Sequence, residues 1–201
     1  MAKTFKMIRV FLFFIAFTFT IGNVLSQKLY EWKPPAVNFA VRNEISTNDT
    51  VFLIIKDRRV NPEKLKSDTD SKQILSTIIS DVKRAFPNVL INDKLTPKEG
   101  KFNIIINLSS YGAGFGTEIS AGVGMVGGNI NSFIFPKGKW NAITALTCTI
   151  VKSNKKETRD FSNISSKDNL WGYKSSRKAL EETYSSTINQ LLLYIEDSLI
   201  L

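Results

Sequence analysis

Three stretches of this sequence combine residue types and spacings that could do chemistry. The first is residues 111–129, YGAGFGTEISAGVGMVGGN, which holds seven of the chain's eleven glycines. Dense glycine can turn backbone N–H groups towards a phosphate. A Walker-type loop, however, needs Lys and then Ser or Thr after its last glycine, so that an ammonium meets the phosphates and a hydroxyl meets magnesium. Gly122 and Gly127 have the right separation, but Gly128 and Asn129 follow them. A dinucleotide fingerprint needs G-x-G-x-x-G between a strand and a helix. Gly112, Gly114 and Gly116 give G-x-G-x-G, and no amphipathic helix follows. Nucleotide binding is therefore not the expectation.

A period of two accounts for the segment better. Ile119, Ala121, Val123 and Met125 alternate with Glu118, Ser120, Gly122 and Gly124, as a strand requires. Gly127-Gly128 suits a two-residue turn, because glycine accepts the positive φ of the primed turns. NINSFIF then returns, giving an expected hairpin over about 117–135 with a glycine stripe on one face. The stripe lets another backbone or a helix pack closely. Glu118 is the one charge between Tyr111 and Asn131. The apolar tip, with Phe115, Val123, Met125 and Val126, is accordingly a candidate contact for a partner or a membrane.

The second stretch is IIKDRR (Ile54–Arg59). Asp57 among cations can pair locally and fix the loop that follows. Alternatively Lys56, Arg58 and Arg59 form an anion-binding corner. The third stretch is NLWGYKSS, where Trp171 and Tyr173 stand near Lys174, Arg177 and Lys178. Such aromatics either clamp a helix start onto a sheet or bind a sugar or a headgroup.

Much other chemistry is excluded. The chain has no histidine, which removes Ser-His-Asp and Cys-His systems and His-based zinc sites. One Cys cannot build a thiolate zinc site. No catalytic residue, metal ligand or cofactor is assigned. Carboxylates remain, since a glycosidase needs two across a cleft. The acids here fall mostly in loops and on helix faces, and Asp68 and Asp70 suit helix capping.

The elements that must position these stretches follow from periodicity. PP at Pro34 keeps the N-terminal segment extended, with a short strand expected over Val37–Val41. TVFLIIKD (Thr50–Asp57) is a strand whose continuous apolar run implies cover on both faces. Asp70 with Gln73 gives a capping-box pattern, and Leu75, Ile78, Ile79, Val82 and Phe86 form a helical stripe that Pro87 stops. NVLIND reads as a short strand and KFNIIINLSS as an alternating one. NAITALTCTIVKSNKKETRDFSN reads as two strands turning at Ser153-Asn154. Leu180, Tyr184, Ile188, Leu191, Leu192, Ile195 and Leu199 mark a long closing helix, capped by Ser175 or Ser176. The expected fold is α+β: a mostly antiparallel sheet of five or more strands with two amphipathic helices packed on it. Residues 27–47 form an extended N-terminal segment and 48–201 a single domain.

The first 26 residues have the layout of a secretory signal peptide. MAKTFKMIR is basic, Val10–Ile21 is apolar but short for a membrane span, and Val24 and Ser26 suit a cut before Gln27. Formal net charge is +9, and losing Lys3, Lys6 and Arg9 with the leader leaves +6. In an exported chain this favours anionic lipid, acidic glycan or an acidic partner over nucleic acid. Cys148 lies in a strand pattern as a buried hydrophobe, and one thiol without a disulfide suits a bacterial envelope.

A hydrophobic strand ending in Asp57-x-Arg59 leads to a polar loop and a helix. A short strand, an alternating strand, a hairpin region and a final helix with LLLYIEDSLI complete the order. Over about 48–200 this resembles the YajG-like small envelope lipoproteins, and more loosely the LptE and PqiC type of periplasmic accessory domain. The resemblance implies a non-enzymatic protein beside the outer membrane, acting through protein or lipid contacts. Those relatives carry a lipid on an N-terminal Cys, and no Cys lies near the cut here. The expected function is an exported, non-enzymatic accessory or binding protein of a Gram-negative envelope, in the periplasm or at the outer-membrane periphery. A carboxylate-dependent hydrolase of envelope glycans and a soluble periplasmic lipid carrier are the alternatives.

Overall fold

The computed structural model describes residues 30–42, 50–59, 66–67, 71–116, 136–152 and 155–200. The leader, the Asp70 cap and the hairpin at 117–135, with Val123, Met125 and Val126, lie outside the described residues. The elements run β1 (Tyr30–Glu31), β2 (Val51–Asp57), β3 (Lys66–Ser67), α1 (Ser71–Ala85), β4 (Ile91–Asp93), β5 (Phe102–Phe115), β6 (Lys139–Lys152), β7 (Lys155–Asp168) and α2 (Tyr173–Ile200).

The sheet is mixed, which corrects the expectation of a mostly antiparallel one. β2 pairs in parallel with both β4 and β5, and β1 in parallel with β3, whereas β5–β6, β6–β7 and β1–β5 are antiparallel. For β2 and β4 the cause is the connection through α1. A strand that leaves through a helix and returns beside itself must come back in the same direction. The hairpin signal of 139–168 is realised, with Lys152 opposite Lys155.

Val51, Phe52, Leu53 and Ile54 are all buried, so β2 has cover on both faces. One face carries the main core. There Leu53, Ile104, Ile106, Leu108, Leu146 and Cys148 meet Ile74, Ile78 and Val82 of α1 and Leu180, Tyr184, Ile188 and Leu191 of α2. Burial pushes the Cys148 thiol up to about 12, which makes it an inert packing group. α2 also buries Ser176, Thr183 and Thr187. The Thr183 hydroxyl bonds that of Thr144 on β6 at 2.9 Å. These small polar positions let the helix lie close on the sheet, and a reading of apolar spacing passes over them.

β7 closes one edge with KKETRD, all exposed. Charge on an edge strand discourages pairing with another chain.

No strand forms over residues 37–41, contrary to expectation. This stretch is instead part of a strap across the helical layer, held by side chains rather than by a ladder. The Tyr111 hydroxyl donates to the Trp32 carbonyl at 2.7 Å, and the Val37 amide donates to Asp81 Oδ1 at 3.2 Å. Arg42 binds Glu196 through its amide at 2.6 Å and its Nε at 3.0 Å, and reaches Asp197 at 2.5 Å. Asp81 is the central anchor, because it also accepts from the Tyr184 hydroxyl at 2.8 Å and from Arg84.

Burial raises the Asp81 carboxyl above its ordinary 3.8, against the lowering effect of its donors. A raised carboxyl binds its proton more tightly folded than unfolded. Its stabilising contribution is therefore present below 3.8 and is lost as pH climbs through the folded value. The unfolding free energy of wild type minus that of Asp81→Asn is expected to fall as pH rises through this window. Urea titrations at a series of pH values read it, and a flat or rising difference contradicts the assignment.

Candidate functional site

β6 occupies one edge of β5 along its length, from Asn103↔Val151 to Phe115↔Trp140. β2 and β1 must then share the other edge. β2 pairs from Phe102 to Leu108, and β1 takes over with Tyr30 opposite Ala113. Where the strands succeed one another, Arg59 bridges them. Its Nε and Nη2 donate to Asp57 at 2.9 and 2.7 Å, and Nη1 donates to Glu31. The side chains of Arg59 and Glu31 are 3% and 4% exposed, so this is a buried charge cluster. Burial opposes the guanidinium charge, but Asp57 and Glu31 more than offset it and raise Arg59 above its usual value.

The local-pairing reading of KDRR thus describes what Arg59 does. The three cations do not converge on one open corner. Arg59 points inward onto two carboxylates, Arg58 is exposed, and Lys56 is half-buried, alternating with Asp57 along β2.

Fixing β1 places Tyr30 and Trp32 at the same end of the sheet as Phe115, Trp140 and Tyr173. Tyr30 stacks on Trp32 at 5.7 Å, meets Trp140 edge-on at 5.9 Å and lies 5.1 Å from Tyr173. Trp140 further contacts Tyr173 at 5.8 Å and Phe115 at 5.3 Å. The Tyr30 and Tyr173 hydroxyls bond at 3.2 Å, and this bond together with burial pushes Tyr30 up to about 12. Ring pairs of this kind contribute about 0.5–1.5 kcal/mol beyond the area they bury.

The β7–α2 loop is clamped onto this cluster. Trp140 Nε1 donates to Asn169 Oδ1 at 2.8 Å. Gly172, with φ of 53°, caps α2 by accepting from the Ser175 amide at 3.1 Å. The Trp171 amide donates back to Ser175 Oγ at 3.4 Å. The helix therefore starts at Tyr173, and Ser175 and Ser176 lie buried in its first turn rather than capping it. The two readings of NLWGYKSS divide between its aromatics. Tyr173 clamps, while Leu170 and Trp171 protrude at 79% and 74% exposure.

The ends of the glycine segment leave from here too. Gly112 and Gly114 lie inside β5, and Gly116 ends it with φ of 80°. Asn141 Nδ2 donates to the carbonyls of Gly116 and Pro136 at 2.5 and 3.1 Å, tying the two ends together. Asn141 carried no signal in the sequence, because its role depends on two loop ends that only the fold brings near.

Cations rim this end. Lys139 pairs with Asp168 at 3.1 Å, whereas Lys33, Lys137 and Lys174 are exposed and join no ion pair among the described residues. A separate open groove of about 470 Å³ lies between Ile79 of α1 and the β4 exit, lined by Leu53, Ile55, Leu95 and Asp93. Its Asp93 is bound by Lys83 at 2.5 Å, which holds the carboxyl below its usual range. Among the described residues no cluster suited to a metal ion is present, and no helix is long and apolar enough to cross a membrane.

No protein-family model matches the chain, and no curated protein matches it. Solved structures of related outline include an uncharacterised protein, with TM-score 0.43 and 10% identity over 82% of this chain and 99% of its own. Another is a candidate lipoprotein from Caulobacter crescentus CB15, with TM-score 0.36 and 7% identity over 75% and 90%. Both scores fall below 0.5, so neither structure carries an argument about activity, and neither points to YajG-like proteins in particular.

Replacing Arg59 with Leu strands the buried Glu31 carboxylate and takes the guanidinium from the part-buried Asp57. The expected loss is about 3–5 kcal/mol in urea unfolding. A loss under about 1 kcal/mol, the range of an exposed pair, contradicts the burial of this cluster.

Proposed function

We propose that the protein is an exported, non-enzymatic binding protein of a Gram-negative cell envelope, and that the aromatic end of its sheet is its contact surface. The observation that carries this reading is the exposure of Leu170 and Trp171, at 79% and 74%, on a loop fixed at both sides. Large apolar side chains carried on a fixed backbone cost little further backbone entropy on binding, which makes such residues effective anchors.

Several features support the non-enzymatic part. The buried carboxylates Glu31, Asp81 and Glu196 each engage a guanidinium, of Arg59, Arg84 and Arg42. Glu31 and Glu196 tie separate chain segments through these pairs, Asp81 does so through the Val37 amide and the Tyr184 hydroxyl, and catalysis by two carboxylates needs groups that face a substrate. The open groove holds a single carboxylate, Asp93, already bound to Lys83. Export is supported by the basic and apolar layout of residues 1–26.

The inert Cys148 makes introduced cysteines selective handles. A photo-crosslinker attached at Lys178→Cys, one turn beyond the aromatic end, is expected to form adducts with protein or lipid in intact envelopes. The same reagent at Lys155→Cys, at the opposite end of the β6–β7 hairpin, is expected to form few. Equal adduct formation at both, or none at either, contradicts the assignment of the surface. Fractionation tests export separately: a full-length chain confined to the cytosol overturns it.

A further inference from the structure

We infer that the aromatic end docks on a bilayer surface that contains anionic phospholipid, an inference that rests on the contact surface proposed above and names its partner. Leu170 and Trp171 are adjacent, protrude from one loop, and have water over most of their surface. No ring contact among the described residues engages Trp171, so the indole is presented outward rather than stacked into the cluster beneath it. That cluster, Tyr30, Trp140 and Tyr173, forms a rigid floor.

The chemistry is graded outward from this point. Two apolar side chains lead, tyrosine and tryptophan rings with polar tips stand behind them, and Lys33, Lys137 and Lys174 flank the rings. Asp168, an acid of this rim, is already paired with Lys139. A bilayer surface has the matching order of layers. Its acyl boundary accepts Leu and Trp, its headgroup zone suits amphipathic rings, and its anionic phosphates attract lysine. A protein partner would need a preformed apolar socket ringed by acids. A lipid surface supplies both without a fixed shape. The formal charge of +9 for the whole chain, or +6 without Lys3, Lys6 and Arg9 of the leader, agrees in sign.

Each lysine near an anionic surface strengthens binding by about fivefold, and burying a Leu or Trp side chain strengthens it by roughly tenfold or more. These gains are modest singly, so attachment should be peripheral, reversible and weakened by salt.

The test uses the protein in the form the cell accumulates, with sedimentation on two kinds of vesicle. One is phosphatidylcholine alone and the other contains phosphatidylglycerol as well. Binding is expected on the mixed vesicles at low salt, with little on phosphatidylcholine alone. Leu170→Ser with Trp171→Ser is expected to cut it about a hundredfold or more, and Lys137→Gln with Lys174→Gln by about twenty-fivefold. All four residues are exposed, and an unchanged melting profile confirms that the variants fold. Failure of wild type to bind mixed vesicles overturns the lipid assignment, as does binding that neither pair of substitutions alters. If lipid binding fails while crosslinks at Lys178→Cys reach an acidic protein, the contact surface stands and the lipid assignment falls. If both fail, the surface itself falls.

Discussion

A guanidinium buried between two carboxylates holds the working end of this protein in place. β1 has two residues, and its register with β5 rests on one paired position, Tyr30 opposite Ala113. A ladder that short cannot fix a strand. Arg59 supplies the constraint by gripping Asp57 at the end of β2 and Glu31 at the end of β1. Desolvating three charged groups is costly, and their mutual attraction roughly offsets it only when the geometry is good. The cluster therefore contributes position more than net stability. It sets where one strand stops and another begins along the same edge of β5.

From that position the rest of the surface follows. Glu31 fixes β1, so Tyr30 and Trp32 reach Trp140 and Tyr173. Those rings in turn seat the β7–α2 loop and leave Leu170 and Trp171 outward. The opposite anchoring system, Asp81 and Glu196 with the strap 32–42, ties the same N-terminal segment to both helices. One short segment is thus pinned to the sheet at its start and to the helical layer at its end. A contact surface built on rings is only as rigid as the backbone that carries them, and here that backbone is held twice.

Much of this order was legible in the sequence because it is local. The apolar stripe from Leu180 to Ile195 became a helix, VFLII became a strand buried on both faces, and Asp57-x-Arg59 paired as a strand exit can. What stayed hidden depends on long range. Strand direction in a sheet depends on how α1 returns the chain, and the composition of β2, β4 and β5 does not record it. Tyr30 lies 143 positions from Tyr173, so no window of periodicity could join them. The strap is held instead by Asp81 and Glu196, far away in sequence, which take the amides of Val37 and Arg42. Glu31 looked like one acid among many, since its partner follows 28 residues later.

The most direct measurement is hydrogen exchange on Glu31→Gln, which keeps the side-chain shape and removes one charge from the cluster. The amides of β1 and of the loop at 169–172 are expected to exchange roughly tenfold faster or more, with α1 and the far half of α2 unchanged. Exchange that is unaltered around β1, or that rises evenly through both helices, would show that Arg59 does not set the aromatic end.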